Sequence, residues 1–129
     1  MSKPDDKVDK LGIVSSMRES YLKGDYERFK SYLADDLVFR VGAIDEVHGP
    51  QASADFYINM GLKIIQITGM EIETTWEIDD TAIVEYHITA DRANNGGHVT
   101  FPCVDIYHFW GAKVYKWHVF PMYRAFAAT

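Results

Sequence analysis

What the chain lacks narrows it first. Its 129 residues include one cysteine, Cys103. A single thiol closes no intramolecular disulfide and builds no thiolate zinc site, so a reducing compartment, the cytoplasm, is expected. Cationic charge is scarce: 13 Lys and Arg stand against 19 Asp and Glu, a net charge of −6. Nucleic acid and anionic membranes call for a basic face, so neither is an expected partner. No run approaches the roughly 18 apolar residues of a membrane span. The opening MSKPDDKVDK is polar and has no apolar core, so no signal peptide is read there. A glycine-rich phosphate loop and a Ser-His-Asp arrangement are missing. The five histidines form no HxH or HxxxH pair within one element, so neither a metal nor another cofactor is expected.

What is present fits one domain with one core. Val8, Leu11, Val14, Met17, Tyr21 and Leu22 recur every three or four residues, which predicts an amphipathic helix over 7–23. Gly24 stops it, and Asp25 caps a second helix over 26–33 that Asp35-Asp36 breaks. A short strand over 37–41 and a loop over 42–49 follow. Pro50 then opens a third helix over 50–62. The period changes from 3.6 to 2 in the second half, which predicts strands over 63–77, 82–91, 99–110 and 114–124. Turns at Asp79-Asp80, Asn94-Asn95-Gly96-Gly97 and Gly111-Ala112 separate them. Helices followed by meandering strands imply an α+β fold, with helices on one face of an antiparallel sheet.

Within 82–91 one strand face is Val84, Tyr86 and Ile88, and the other is Ile83, Glu85, His87 and Thr89. Within 99–110 one face is Phe101, Cys103, Asp105 and Tyr107, and the other is Pro102, Val104, Ile106, His108 and Trp110. Neither set is plainly solvent-facing, so both faces need cover: helices and a pocket on one, a partner subunit on the other.

Three strings, GDYERFKSYLADDLVF, HGPQASADFY and CVDIYHFWGAKVYKWHVF, stand in the order and spacing of the nuclear transport factor 2-like superfamily. The chain resembles that superfamily and the SnoaL-like group within it over nearly its whole length. The resemblance implies a cone-shaped fold: N-terminal helices packed on a curved antiparallel sheet that encloses one deep pocket, often in a dimer. That fold hosts isomerases, dehydratases, cyclases, epoxide hydrolases and non-catalytic binders, so the site must decide. Against ketosteroid isomerases, Asp105 falls on the oxyanion-hole aspartate and Tyr57 on a tyrosine of its hydrogen-bond network. The base position falls on Val41 and the oxyanion tyrosine on Met17, so that mechanism is not expected. Against limonene-type epoxide hydrolases, the Asp-Arg-Asp set falls on His87, Thr89 and Val119, none of them a carboxylate. Against scytalone dehydratase, TTWEIDDTAIVEYHI places His87 at a catalytic histidine, Tyr21 at a water-binding tyrosine and Asp105 at a substrate-binding asparagine. Its second histidine and second tyrosine fall near Pro102 and Val41 and are absent.

The candidate site follows from these positions. Imidazole takes and gives a proton near neutral pH, so His87 is the expected acid or base. Asp105 sits in the apolar run FPCVDIYHFW, where a carboxylate must be paired or neutral; it either pairs with His87 or donates a proton. Tyr21 and Tyr57 are expected to bind a substrate oxygen and Trp117 to stack on its rings, with Phe101, Thr89, Met17 and Val41 completing the lining. His48 and His98 read as structural; His108, His118 and Trp110 read as surface or interface. The expected activity is cofactor-independent dehydration, isomerisation or cyclisation of a hydrophobic polycyclic, polyketide- or terpenoid-like molecule, in a homodimer joined through the outer sheet face. The alternative is a non-catalytic binding or dimerisation module of the same fold.

Overall fold

The computed structural model describes residues 8–93 and 96–123. Asn94 and Asn95 of the predicted hairpin turn, Arg124 of the predicted last strand and the polar opening residues 1–7 lie outside them. Helix α1 (Lys10–Leu22) starts where the Asp9 carboxylate accepts from the Gly12 N–H at 2.9 Å. Gly24, with φ at +75°, releases the chain from it. Asp25 caps α2 (Tyr26–Ser31) by accepting from the Arg28 N–H at 3.1 Å. This helix stops two residues before the predicted end, because Leu33 is taken into strand β1 (Leu33–Val41). Asp35 and Asp36 lie at the irregularity in β1, between Leu33, which pairs with Val114, and Val38, which pairs with Lys116. They bend a strand instead of ending a helix. Strand β2 (Val47–His48), too short to leave a sequence signal, pairs with β1, and α3 (Pro50–Lys63) follows with its proline in the first turn.

Strands β3 (Ile65–Ile78), β4 (Thr81–Arg92), β5 (His98–Trp110) and β6 (Lys113–Pro121) form the expected meander. The sheet order is β2-β1-β6-β5-β4-β3. One pair departs from expectation: β1 runs parallel to β6, so the sheet is mixed. The cause is connectivity. The chain leaves β1 through α3, runs the meander outward-in from the far edge, and returns β6 to the side of β1. Two irregularities in β3, between Ile67 and Gly69 and between Ile72 and Thr74, add curvature.

The helices cover the inner face. There the period-2 alternation aligns Val84, Tyr86 and Ile88 of β4 with Phe101, Cys103, Asp105 and Tyr107 of β5 and with Trp117 and Val119 of β6, all buried. The outer face carries Trp76, Ile83, Ile106 and His118 in one row and Thr74, Glu85, Val104 and Phe120 in the next. Trp76, Ile78 and Phe120 are among its exposed side chains.

Candidate active site

Helix α1 places Val14, Met17, Arg18 and Tyr21 on its buried stripe. That spacing carries a charged residue, Arg18, into the inside of the cone, where it stays only 8% exposed. It meets Asp105 of β5, which is 1% exposed. Arg18 Nη2 stands 3.7 Å from Asp105 Oδ2, and the guanidinium carbon lies 3.8 Å from the centre of the Tyr86 ring.

Asp105 is held by the strands beside it. Tyr86 Oη donates to Oδ1 at 2.8 Å; Tyr107 Oη and Trp117 Nε1 donate to Oδ2 at 2.6 and 3.2 Å. The Cys103 thiol approaches Oδ1 at 3.6 Å. A carboxylate offers about four lone-pair positions; three firm donors take three, and the weak thiol donor faces the fourth. Burial, and then the Asp105 charge, push the Tyr57, Tyr86 and Tyr107 phenols well above the usual range. The same two causes, in the same order, raise the Cys103 thiol. Burial first, and then Tyr26, raise the Tyr21 phenol. All these groups therefore remain proton donors at neutral pH. Burial pulls the Arg18 guanidinium down, but Tyr107, Asp105 and Tyr86 together more than offset it, and Arg18 stays a cation.

Arg18 Nη1 donates to Met70 Sδ at 3.8 Å, whereas Nε and Nη2 make no hydrogen bond. The buried Tyr21 hydroxyl makes none either. Both side chains border one interior cavity of about 10 Å³, together with Asp105, Tyr57, Met17 and Trp117. A second cavity of about 20 Å³ is bordered by Val41, Phe101 and Ile88, and shares Tyr57 and Tyr86 with the first. The single deep pocket expected from the sequence is thus two small voids. The reason is aromatic volume: Phe29, Phe39, Tyr57, Tyr86, Tyr107 and Trp117 all point inward, with ring centroids as close as 4.7 Å. A larger hollow, about 530 Å³, lies elsewhere, between the start of β1 and the β5–β6 turn. It holds the exposed Asp35 and Asp36 and no buried polar side chain, so the interior pair is the better candidate site.

The structure therefore brings Asp105, Tyr21, Tyr57, Trp117 and Met17 together, and sets Val41 and Phe101 next door. It does not bring His87 or Thr89. Tyr86 points inward, so its neighbour His87 must point outward. His87 is half-exposed, lies across the ladder from Pro102 and Glu71, and pairs with Glu73. It cannot orient or be oriented by Asp105, whose partner is Arg18. Thr89 is exposed on the same outer face. Asp105 meets its need for a partner through an arginine and acts as an acceptor at both oxygens, so the expected pairing with His87 is replaced. Arg18, Tyr86 and Tyr107 were not expected. For Arg18 the signal was its place between Met17 and Tyr21 on the apolar stripe; for the tyrosines it was strand phase with Val84 and Asp105. His108 faces Thr81, His118 faces the Gly42 carbonyl, His98 pairs with Asp91, and His48 stays near Glu46. Among the described residues no group of three or more His, Cys, Asp or Glu is placed to hold a metal ion, and no helix is long and apolar enough to cross a membrane.

Solved structures share this architecture. A Jannaschia sp. CCS1 protein named for its likeness to SnoaL polyketide cyclases superposes with a TM-score of 0.79 at 12% identity, covering 95% of this chain and 91% of its own. An epoxide hydrolase of the LEH-like kind from M. tuberculosis gives 0.73 at 13% identity, covering 87% and 81%. A Catenulispora acidiphila protein with a ketosteroid isomerase-like fold, solved with trimethylamine, gives 0.74 at 10%, covering 83% and 82%. At these identities the likeness is one of fold. No curated protein sequence matches the chain. The SnoaL-like domain family matches residues 14–117, a span that runs from α1 into β6 and contains both Arg18 and Asp105, and the chain belongs to that family.

Proposed function

We propose that the protein is a cofactor-independent enzyme that moves a proton on a hydrophobic, oxygen-bearing small molecule of the polycyclic, polyketide or terpenoid kind, in an isomerisation, dehydration or cyclisation. One observation carries this reading: a carboxylate and a guanidinium are kept together in an apolar interior, beside a buried tyrosine hydroxyl, that of Tyr21, with no hydrogen-bond partner. Such a pair does little for stability compared with packed apolar side chains, so its presence points to use. In this reading Asp105 takes a proton from carbon through the lone pair that only the weak Cys103 thiol faces, and returns it elsewhere on the substrate. Tyr57 and Trp117 border the substrate, and His87 has no part.

The test is exchange of α-protons for solvent deuterium, followed by proton NMR over a panel of bicyclic to tetracyclic ketones. The wild type is expected to accelerate exchange over buffer, and Asp105→Asn to return it to the buffer rate. Ketones that bind without exchange in the wild type would favour the second reading, a non-catalytic binding module. The observation on that side is the filled interior, with its voids of about 10 and 20 Å³ and an Asp105 already held by three donors.

The exposed apolar side chains of the outer face, Trp76, Ile78 and Phe120, support a homodimer through that face. Light scattering is expected to give a dimer for the wild type and a monomer for Ile106→Lys; a wild-type monomer at all concentrations would remove the proposal.

A further inference from the structure

Arg18 and Met70 border two spaces at once. One is the interior cavity; the other is an open cleft of about 390 Å³ between α1 and β3, bordered also by Leu22, Ile72 and the Glu19–Lys23 ion pair, whose charges offset each other. The contact between Arg18 Nη1 and Met70 Sδ, 3.8 Å long, is therefore part of the wall between them. The cleft has the size of a small-molecule site, for which about 300–1,000 Å³ is usual. Leu22 and Ile72 give it exposed apolar surface. The cavity, at about 10 Å³, holds roughly one oxygen atom. Its donors without a hydrogen bond are Arg18 Nε and the Tyr21 hydroxyl, on side chains more than nine-tenths buried, while Arg18 Nη2 is turned to Asp105.

Charge decides what kind of oxygen fits. The Arg18 cation is already balanced by Asp105 at 3.7 Å. A ligand carboxylate would place a second anion beside them and leave a net charge in the apolar interior, which is strongly disfavoured. An uncharged carbonyl has two lone pairs for the open N–H and O–H donors and adds no charge. We propose that the ligand is a neutral carbonyl compound. Its oxygen seats between Arg18 and Tyr21 through the Arg18–Met70 wall, and its apolar body lies in the α1–β3 cleft. The proposal rests on the reading of the Asp105 cavity as a small-molecule site, and it names Arg18 as the residue that selects the substrate class. If Asp105 removes an α-proton, the same donors face the oxygen on which negative charge develops.

The experiment compares three probes of one shape by titration calorimetry: 2-tetralone, tetralin-2-carboxylate and tetralin. The wild type is expected to bind the ketone about tenfold or more tighter than the other two, the size of a lost hydrogen bond to a charged donor. Tyr21→Phe and Arg18→Lys are each expected to shrink that preference. The first removes only a hydroxyl; the second keeps the charge beside Asp105 but loses the planar fork. Both are checked by circular dichroism for a native fold. A carboxylate that binds as tightly as the ketone, a ketone no better than the hydrocarbon, or a preference that survives both substitutions overturns the proposal. Binding is read without turnover. Ordered binding with no α-proton exchange would keep this seat and remove the proton-transfer reading; exchange without the binding order would do the reverse.

Discussion

Three buried tyrosines face one interior, yet losing their hydroxyls should have opposite consequences. Tyr86 and Tyr107 donate to Asp105 at 2.8 and 2.6 Å. Tyr21 Oη has no partner although its residue is 5% exposed. Changing Tyr86 or Tyr107 to Phe removes a hydrogen bond to a buried charge and is expected to cost about 1.5–3 kcal/mol. Changing Tyr21 to Phe removes an unsatisfied hydroxyl whose desolvation costs about 1–3 kcal/mol. A water in the cavity of about 10 Å³ would recover part of that, so a gain of about 1 kcal/mol is the working figure. For a domain of this size that is a rise in Tm of about 3–5 °C, against falls of about 5–15 °C for the other two. Thermal and urea denaturation of the three single variants at pH 7 measures all of this in one series. A Tyr21→Phe variant less stable than wild type by about 1 kcal/mol or more would show that its hydroxyl has a partner in the folded protein. Such a result would refute the claim that this donor waits for a ligand.

Cys103 is fully buried and its thiol is raised by burial and by Asp105, so iodoacetamide is expected to leave it unmodified in the folded protein and to label it in denaturant; mass spectrometry reads both. The His108 imidazole lies below its ordinary value of 6.5, first because of burial and then because of Lys116, with Asp80 opposing. The folded chain then binds fewer protons there than the unfolded one, so its contribution is present above about pH 6.5 and lost as pH falls through the lower folded value. Two-dimensional NMR titration is expected to show this shift, and His108→Gln to flatten the stability profile slightly between about pH 5 and 7, the change being small at a site this exposed.

Much of the fold was legible because its signals are local and redundant. Asp9, Asp25, Gly24 and Pro50 mark helix ends by satisfying or releasing backbone groups, and the period-2 stretches gave all four long strands. The parallel pairing of β1 with β6 was not legible, since it follows from where the meander closes, not from any residue in either strand. Strand phase separates the two faces of β4, but polarity and the family correspondences point His87 and Thr89 to the pocket. Burial went the other way: the inner set is Val84, Tyr86 and Ile88, with a tyrosine whose hydroxyl serves the buried acid. Asp105 was legible because a carboxylate in an apolar run demands a partner. Its partner was not, because an arginine on an amphipathic helix is ordinarily solvated, and only the position of Arg18 between Met17 and Tyr21 turned it inward.

The most direct test of where function resides sets Asp105→Asn beside His87→Ala in the same α-proton exchange assay, both confirmed as folded. Loss of exchange in Asp105→Asn with wild-type rates in His87→Ala is the expected result. The reverse pattern, full exchange without the Asp105 carboxylate and none without the outward-facing His87, would contradict an active centre inside the cone.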